Sequence, residues 1–208
     1  MDNRQAPRKA AHGKVMITDP RPRSITKRTE YDRSDKMPSL SLQSDSRLHT
    51  LALDLESALS SELKKQVRDA CNEWLAEAAR IFSVPRPSIR VLDARPLRVY
   101  ETGLTELFGD YQIGTALIRV WMRTAVQKRV TSFGTFLNTL CHEFCHHLDI
   151  LRLGLPGSFH TRGFYTRTAV LYHHCRGTPL LPLVWHRVPH DCWQIDWVQM
   201  RRLRVRTD

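Results

Sequence analysis

The stretch from Phe133 to Leu151 constrains this chain more than any other, because as a helix it carries two faces that need opposite surroundings. At 100° per residue, Phe133, Phe136, Leu137, Leu140, Phe144, Leu148 and Leu151 gather on one stripe. His142, His146 and Asp149 gather opposite, with Thr135, Asn138 and Thr139 on their side. The fold must lay the first stripe on a core and leave the second facing a cleft or water. Within the polar stripe, His142-Glu143-Phe144-Cys145-His146 reads HExxH. Two histidines four apart on a helix point the same way, so both imidazoles can hold one Zn²⁺. The glutamate between them stands close enough to act on a polarised water.

Zinc held for catalysis takes three protein ligands and leaves one position open. Glu143 is the last glutamate of the chain, so a ligand Glu on a later helix is ruled out. A third histidine six residues beyond His146 is ruled out as well: Arg152 stands there, and Asp149 stands where that pattern needs glycine. His160, His173, His174, His186, His190 and a few aspartates remain. His160 is the strongest, because it follows the turn Gly154-Leu155-Pro156-Gly157 and opens the next helix, where a reversing chain returns to the metal face. The alternative is that His160 only caps that helix. His173 and His174 lie about three turns farther on, and neighbours on a helix point different ways. They are expected to pack or face solvent.

Along the chain, residues 1–48 are rich in Arg, Lys, Ser, Asp and Pro without a sustained apolar period, and read as a disordered basic tail. From Leu51, the spacing of Leu59, Leu63, Val67, Ala70, Trp74, Ala78 and Ile81 predicts one long amphipathic helix to Phe82. Ile89–Leu92 and Leu97–Tyr100 read as short strands, Glu101 to Asp110 as a loop, and Tyr111 to Trp121 as one further strand. Ser132 or Thr131 can cap the HExxH helix, and a second helix should run from Thr161 to Cys175. Beyond Pro179, Leu183–Val188 and Cys192–Trp197 are the arms of an expected hairpin through Pro189-His190-Asp191. The division is therefore a tail (1–48), a catalytic domain (49–176) and a C-terminal extension (177–208) with a basic end.

The formal charge of +11 is uneven. Residues 1–50 hold 11 Lys/Arg against 6 Asp/Glu, residues 51–151 balance at 12 against 12, and residues 152–208 hold 9 against 3. Basic ends around a neutral middle suit attraction to a polyanion, which makes nucleic acid an expected partner; the alternative, of equal weight from charge alone, is that they aid solubility. No run of 18 apolar residues is present, so no membrane span is expected. Met1-Asp2-Asn3-Arg4-Gln5 is unlike a secretory signal, and the five cysteines include no CxxC pair. Both point to a cytoplasmic protein with reduced thiols.

Residues Tyr111 to Tyr172 resemble the core of the SprT-like zincin metallopeptidases. The shared elements are a strand containing Gly114, the HExxH of His142 to His146, and His160 followed four residues later by Phe164. The resemblance implies an α+β zincin-like domain in which a short mixed or antiparallel sheet packs on the HExxH helix. It implies His142, His146 and His160 as Zn²⁺ ligands and Glu143 as general base. It also implies a protein or peptide substrate pairing with an edge strand, here Gly114 to Ile118, although its apolar content also fits an interior strand. Some relatives degrade DNA-bound proteins. The chain departs from many of them in having Thr161 where they carry glycine and in lacking a four-cysteine zinc ribbon.

Around the ligands, Asp149 is expected either to orient a ligand imidazole or to pair with Arg152. His147 should pack at the core edge and Cys145 should be a buried thiol rather than a ligand. Tyr165, Tyr172 and Arg162 are the candidates for stabilising an oxyanion. Trp185, Trp193 and Trp197 are expected to pack, with base stacking as the alternative. Two other functions fit the motif: a nucleic-acid-associated protein braced by a structural zinc, and a metal-dependent hydrolase of a non-peptide bond. The oligomeric state is left open.

Overall fold

The computed structural model describes residues 16–37, 39–42, 46–100 and 103–204. Among these the chain is α+β, with six α-helices and a small mixed sheet. The helices are α1 (Ile25–Lys36), α2 (Leu48–Ser60), α3 (Lys64–Phe82), α4 (Phe133–Leu151), α5 (Arg162–Arg176) and α6 (Trp197–Arg204). The strands are β1 (Ser88–Ala94), β2 (Leu97–Tyr100), β3 (Gly103–Glu106), β4 (Gly109–Gln112), β5 (Leu117–Arg123), β6 (Trp185–Val188) and β7 (Cys192–Ile195).

The principal sheet has the order β1-β5-β4, with β1 parallel and β4 antiparallel to β5. Alternate residues point to one face, so Ile89 and Val91 of β1 and Ile118, Val120 and Met122 of β5 are buried together. The apolar stripe of α4 joins the same core. Phe136, Leu137, Leu140, Phe144 and Leu148 are all buried, and the Trp74 ring of α3 meets Phe144 edge-on at 5.7 Å. Burying a side chain of this size is worth about 1.5–3 kcal/mol, which fixes the roll of α4 and turns His142 and His146 away from that apolar stripe.

Several expectations change. The single helix from Leu51 to Phe82 is two, α2 and α3, which pack on each other. Ser61 breaks it: its hydroxyl donates to the Ala58 carbonyl and accepts from the Leu63 N–H, Glu62 enters the left-handed region at φ 59°, and Leu63 is 56% exposed. The strand read as Tyr111 to Trp121 is also two, β4 and β5, separated by a 3₁₀ turn (Ile113–Thr115) and a left-handed Ala116. Leu117 and Ile118 therefore lie in the central strand, and among the described residues β4 and β1 are the edges of the sheet. The loop expected over Glu101 to Asp110 contains β3, paired with β2.

The largest change is at the N-terminal end. Residues 1–15 lie outside the described part, but residues 17–36 are not a disordered tail. Ile17 bridges Gln194 of β7, α1 lies against α5, and Met16, Tyr31 and Ser34 are buried. Gly163 permits that approach, since a Cβ there would stand 2.0 Å from the Ser34 carbonyl oxygen. The hairpin β6–β7 forms as expected, except that Trp197 begins α6 instead of ending a strand.

Arg167 of α5 is wholly buried and holds these pieces together. Its guanidinium reaches Asp149 of α4 at 3.0 and 3.2 Å, Ser34 O and Oγ at 3.1 Å each, and the Met37 carbonyl. Removing one member of a buried pair strands the other charge, at a cost of about 3–5 kcal/mol. Arg167→Met is expected to lose that much in urea unfolding, and Asp149→Asn added to it should restore part of the loss.

Candidate metal centre

His142 and His146 project from successive turns of α4, and His160 enters from the loop that precedes α5. Ser132 starts α4 by accepting from the Thr135 N–H, and Thr161 starts α5 by accepting from the Phe164 N–H. His160 thus sits immediately before the cap of α5 and does not serve as that cap. The loop between the helices turns through Gly154 at φ +63°. It is gripped from α1: Arg33 donates to the Gly154 carbonyl, and Glu30 accepts from the Gly157 N–H at 2.6 Å.

The three imidazoles converge. His142 Nε2 and His160 Nε2 are 3.0 Å apart, and one donor atom from each ring lies within 4.8 Å of the others. Phe164 forms the floor, its ring centroid 4.9, 4.6 and 5.1 Å from those of His142, His146 and His160. Three imidazole nitrogens at these separations can hold one metal ion, since bonds of about 2.0–2.1 Å from a tetrahedral centre bring ligand nitrogens close to this spacing.

His146 and His160 are held from behind. His146 Nδ1 is 2.8 Å from Ser158 Oγ, which donates to Asp149 Oδ2 at 3.1 Å. Asp149 therefore bears on His146 through Ser158, and its charge partner is Arg167 rather than Arg152. Burial drives its carboxyl up to about 6, against the pull of Arg167 and Ser158. Ser158 adopts φ 39° although it is not glycine, a backbone cost that this anchored loop sustains. His160 Nδ1 faces Asp19 Oδ2 at 3.4 Å, and the same oxygen accepts from the His160 N–H at 2.8 Å. Burial works to raise the Asp19 pKa, but His160 outweighs it and holds the carboxyl below its ordinary value.

Glu143, 5% exposed, lies beneath β4. The inward positions of β4 are Gly109, opposite Val120, and Tyr111, opposite Ile118. A Cβ on Gly109 would stand 2.6 Å from Thr139 Cγ2 and 3.0 Å from Glu143 Oε1, so glycine lets the strand settle onto the polar face of α4. Tyr111 Oη is 2.9 Å from His147 Nδ1, whose Nε2 is 2.7 Å from the Pro85 carbonyl oxygen. His147 is fully buried, as expected, and burial lowers its pKa. A cleft of about 310 Å³ opens here, lined by Gly109, Ile113, Glu143 and the three histidines.

The other expectations divide. Cys145 is buried and its thiol is pushed up to about 12 by burial, so it is an inert neighbour. His173 bonds Thr178 and His174 bonds Ser46, away from the cluster. Of the oxyanion candidates, Arg162 is tied to Asp35 and the Tyr165 hydroxyl donates to the Ile17 carbonyl at 2.8 Å. The Tyr172 hydroxyl stands near Gly134, in the first turn of α4. Trp185 packs on Tyr165, Trp193 lies over the Arg162 guanidinium, and Trp197 is 40% exposed.

Asp19, Ser158 and Arg167 were not singled out from sequence. Ser158 has a local signal, a hydroxyl two residues before His160 in a short loop, whereas Asp19 has none. Among the described residues, no helix is long and apolar enough to cross a membrane. No protein-family model, curated protein or solved structure matches this chain. His160→Ala is expected to lose the bound metal that the wild type takes up at one equivalent, while His173→Ala retains it, as read by metal analysis after gel filtration.

Proposed function

We propose that this chain is a zinc-dependent peptidase of the SprT-like zincin kind. The observation that carries this reading is the placement of Glu143 in one cleft with three converging imidazoles. An all-imidazole donor set suits zinc, and three protein ligands are what a catalytic rather than a purely structural site uses. When bound, the ion would supply Lewis acidity toward a carbonyl oxygen and make water more acidic. Glu143 then accepts a proton from the attacking water and passes it to the leaving amine. Its burial beneath β4 keeps bulk water from competing for that proton.

The substrate reading also rests on β4. Among the described residues this strand pairs with β5 on one side only and runs past Glu143, so an extended peptide can add to its outer edge by main-chain hydrogen bonds. Exposed Ile113, at the end of that strand, offers an apolar contact to a substrate side chain. The five cysteines are buried and unbridged, which suits a reducing cytoplasm. Exposed Arg201 and Arg202 on α6 keep nucleic acid among the proposed partners.

Glu143→Gln decides among the readings. It is expected to cut peptide hydrolysis by roughly 10²–10⁴-fold while zinc stoichiometry and melting temperature stay at wild-type values. Undiminished peptide cleavage by that variant would remove Glu143 from the chemistry. Zinc binding with no hydrolysis in the wild type would favour a structural site. Ester turnover without peptide turnover would favour a non-peptide hydrolase.

A further inference from the structure

We infer that the N-terminal arm, residues 17–36, is a working part of the metal centre, and that Asp19 is the positioning residue through which it acts. The inference rests on the metal reading above, but not on the identity of the substrate.

The His160 Nε2 faces His142 Nε2, which commits that nitrogen to the centre of the cluster. The remaining nitrogen, Nδ1, faces the Asp19 carboxylate. A carboxylate behind a ligand imidazole selects the tautomer with its proton on Nδ1, fixes the ring's rotation and makes Nε2 a stronger donor. The carboxylate is itself positioned. The Asp19 N–H donates to the His160 carbonyl at 2.9 Å while Asp19 Oδ2 accepts from the His160 N–H, so the His160 backbone is clasped by both the backbone and the carboxylate of Asp19.

The arm is anchored on both sides of this clasp. Before it, Thr18 N–H donates to the Trp193 carbonyl, Thr18 Oγ accepts from the Trp193 N–H at 2.9 Å, and Tyr165 bonds Ile17. After it, the Tyr31 hydroxyl donates to the Asp19 carbonyl, and Ser34 Oγ is 2.9 Å from Thr161 Oγ. Metal held by His160 and an arm docked on His160 are then linked, and linkage is reciprocal: whatever factor the arm contributes to metal affinity, the metal returns to the arm's docking. His142 and His146 sit on a rigid helix, whereas His160 is in a loop, so His160 is the ligand that gains most from an outer anchor.

The test uses the full chain and zinc alone. Asp19→Ala should weaken zinc binding roughly 10–100-fold in chelator competition, and Asp19→Asn, which keeps an acceptor without the charge, should fall between it and wild type. Thr18→Val loosens the arm on Trp193 without touching the carboxylate and should stay within about threefold of wild type in zinc affinity. Hydrogen exchange gives the reciprocal readout: zinc should slow exchange of the Asp19 amide in wild type and do so less in Asp19→Ala. Zinc affinity unchanged in Asp19→Ala overturns the inference, and so does an equal loss in Thr18→Val, which would assign the effect to docking in general. If Asp19→Ala fails to fold, Asp19→Asn at wild-type affinity overturns it in the same way. A wild type that takes up no zinc defeats the metal reading itself, a separate outcome.

Discussion

The buried pair of Asp149 and Arg167 is the contact on which the rest of this architecture depends. Removing two charges from water costs several kcal/mol per ion, and their attraction offsets this only where further hydrogen bonds complete the site. Here those bonds come from elsewhere: Ser158 from the loop between α4 and α5, and Ser34 and Met37 from α1. The pair can therefore be buried only when four pieces of chain are in place together. The same Ser158 hydroxyl touches His146, so the arrangement that makes the charges tolerable also sets the orientation of that imidazole. Structure and site share one hydrogen-bonded unit.

On the other side of α4 the organising force is different. Its apolar stripe is held by Trp74, the sheet and α5 through non-directional burial, which fixes where the helix lies but not the rotamer of any histidine. Orientation is supplied by polar contacts on the opposite face, and strand β4 closes over Glu143 because Gly109 offers no side chain to keep it away. Packing places the helix and hydrogen bonding aims its imidazoles.

What could be read from the sequence follows that division. The α4 stripe, its Ser132 start, the loop at Gly154 and the return of His160 were legible because periodicity and capping are local signals. The break at Ser61 was hidden because Leu59, Leu63 and Val67 keep helical spacing across it. The β4–β5 reversal was hidden because Gly114 and Ala116 sit inside an apolar run. Helix α1 was hidden for a third reason: only Tyr31 and Ser34 are buried in it, and ion pairs and hydrogen bonds hold the rest. A helix without a greasy face has no signature in a hydrophobic pattern. Asp19 is legible only once the fold brings it 141 positions along the chain to His160.

That separation has a consequence for how the protein is made. Synthesis at about 5–20 residues per second puts on the order of ten seconds between the appearance of Asp19 and that of His160. Contacts over 148 positions, as between Ile17 and Tyr165, close late because loop-closure entropy must be met before they form. During that interval residues 17–36 wait without their binding surface. A greasy arm would be prone to misassociate on the ribosome or with other chains, whereas one rich in charge stays hydrated until α5 arrives. The polarity that conceals the arm in the sequence is what allows it to wait.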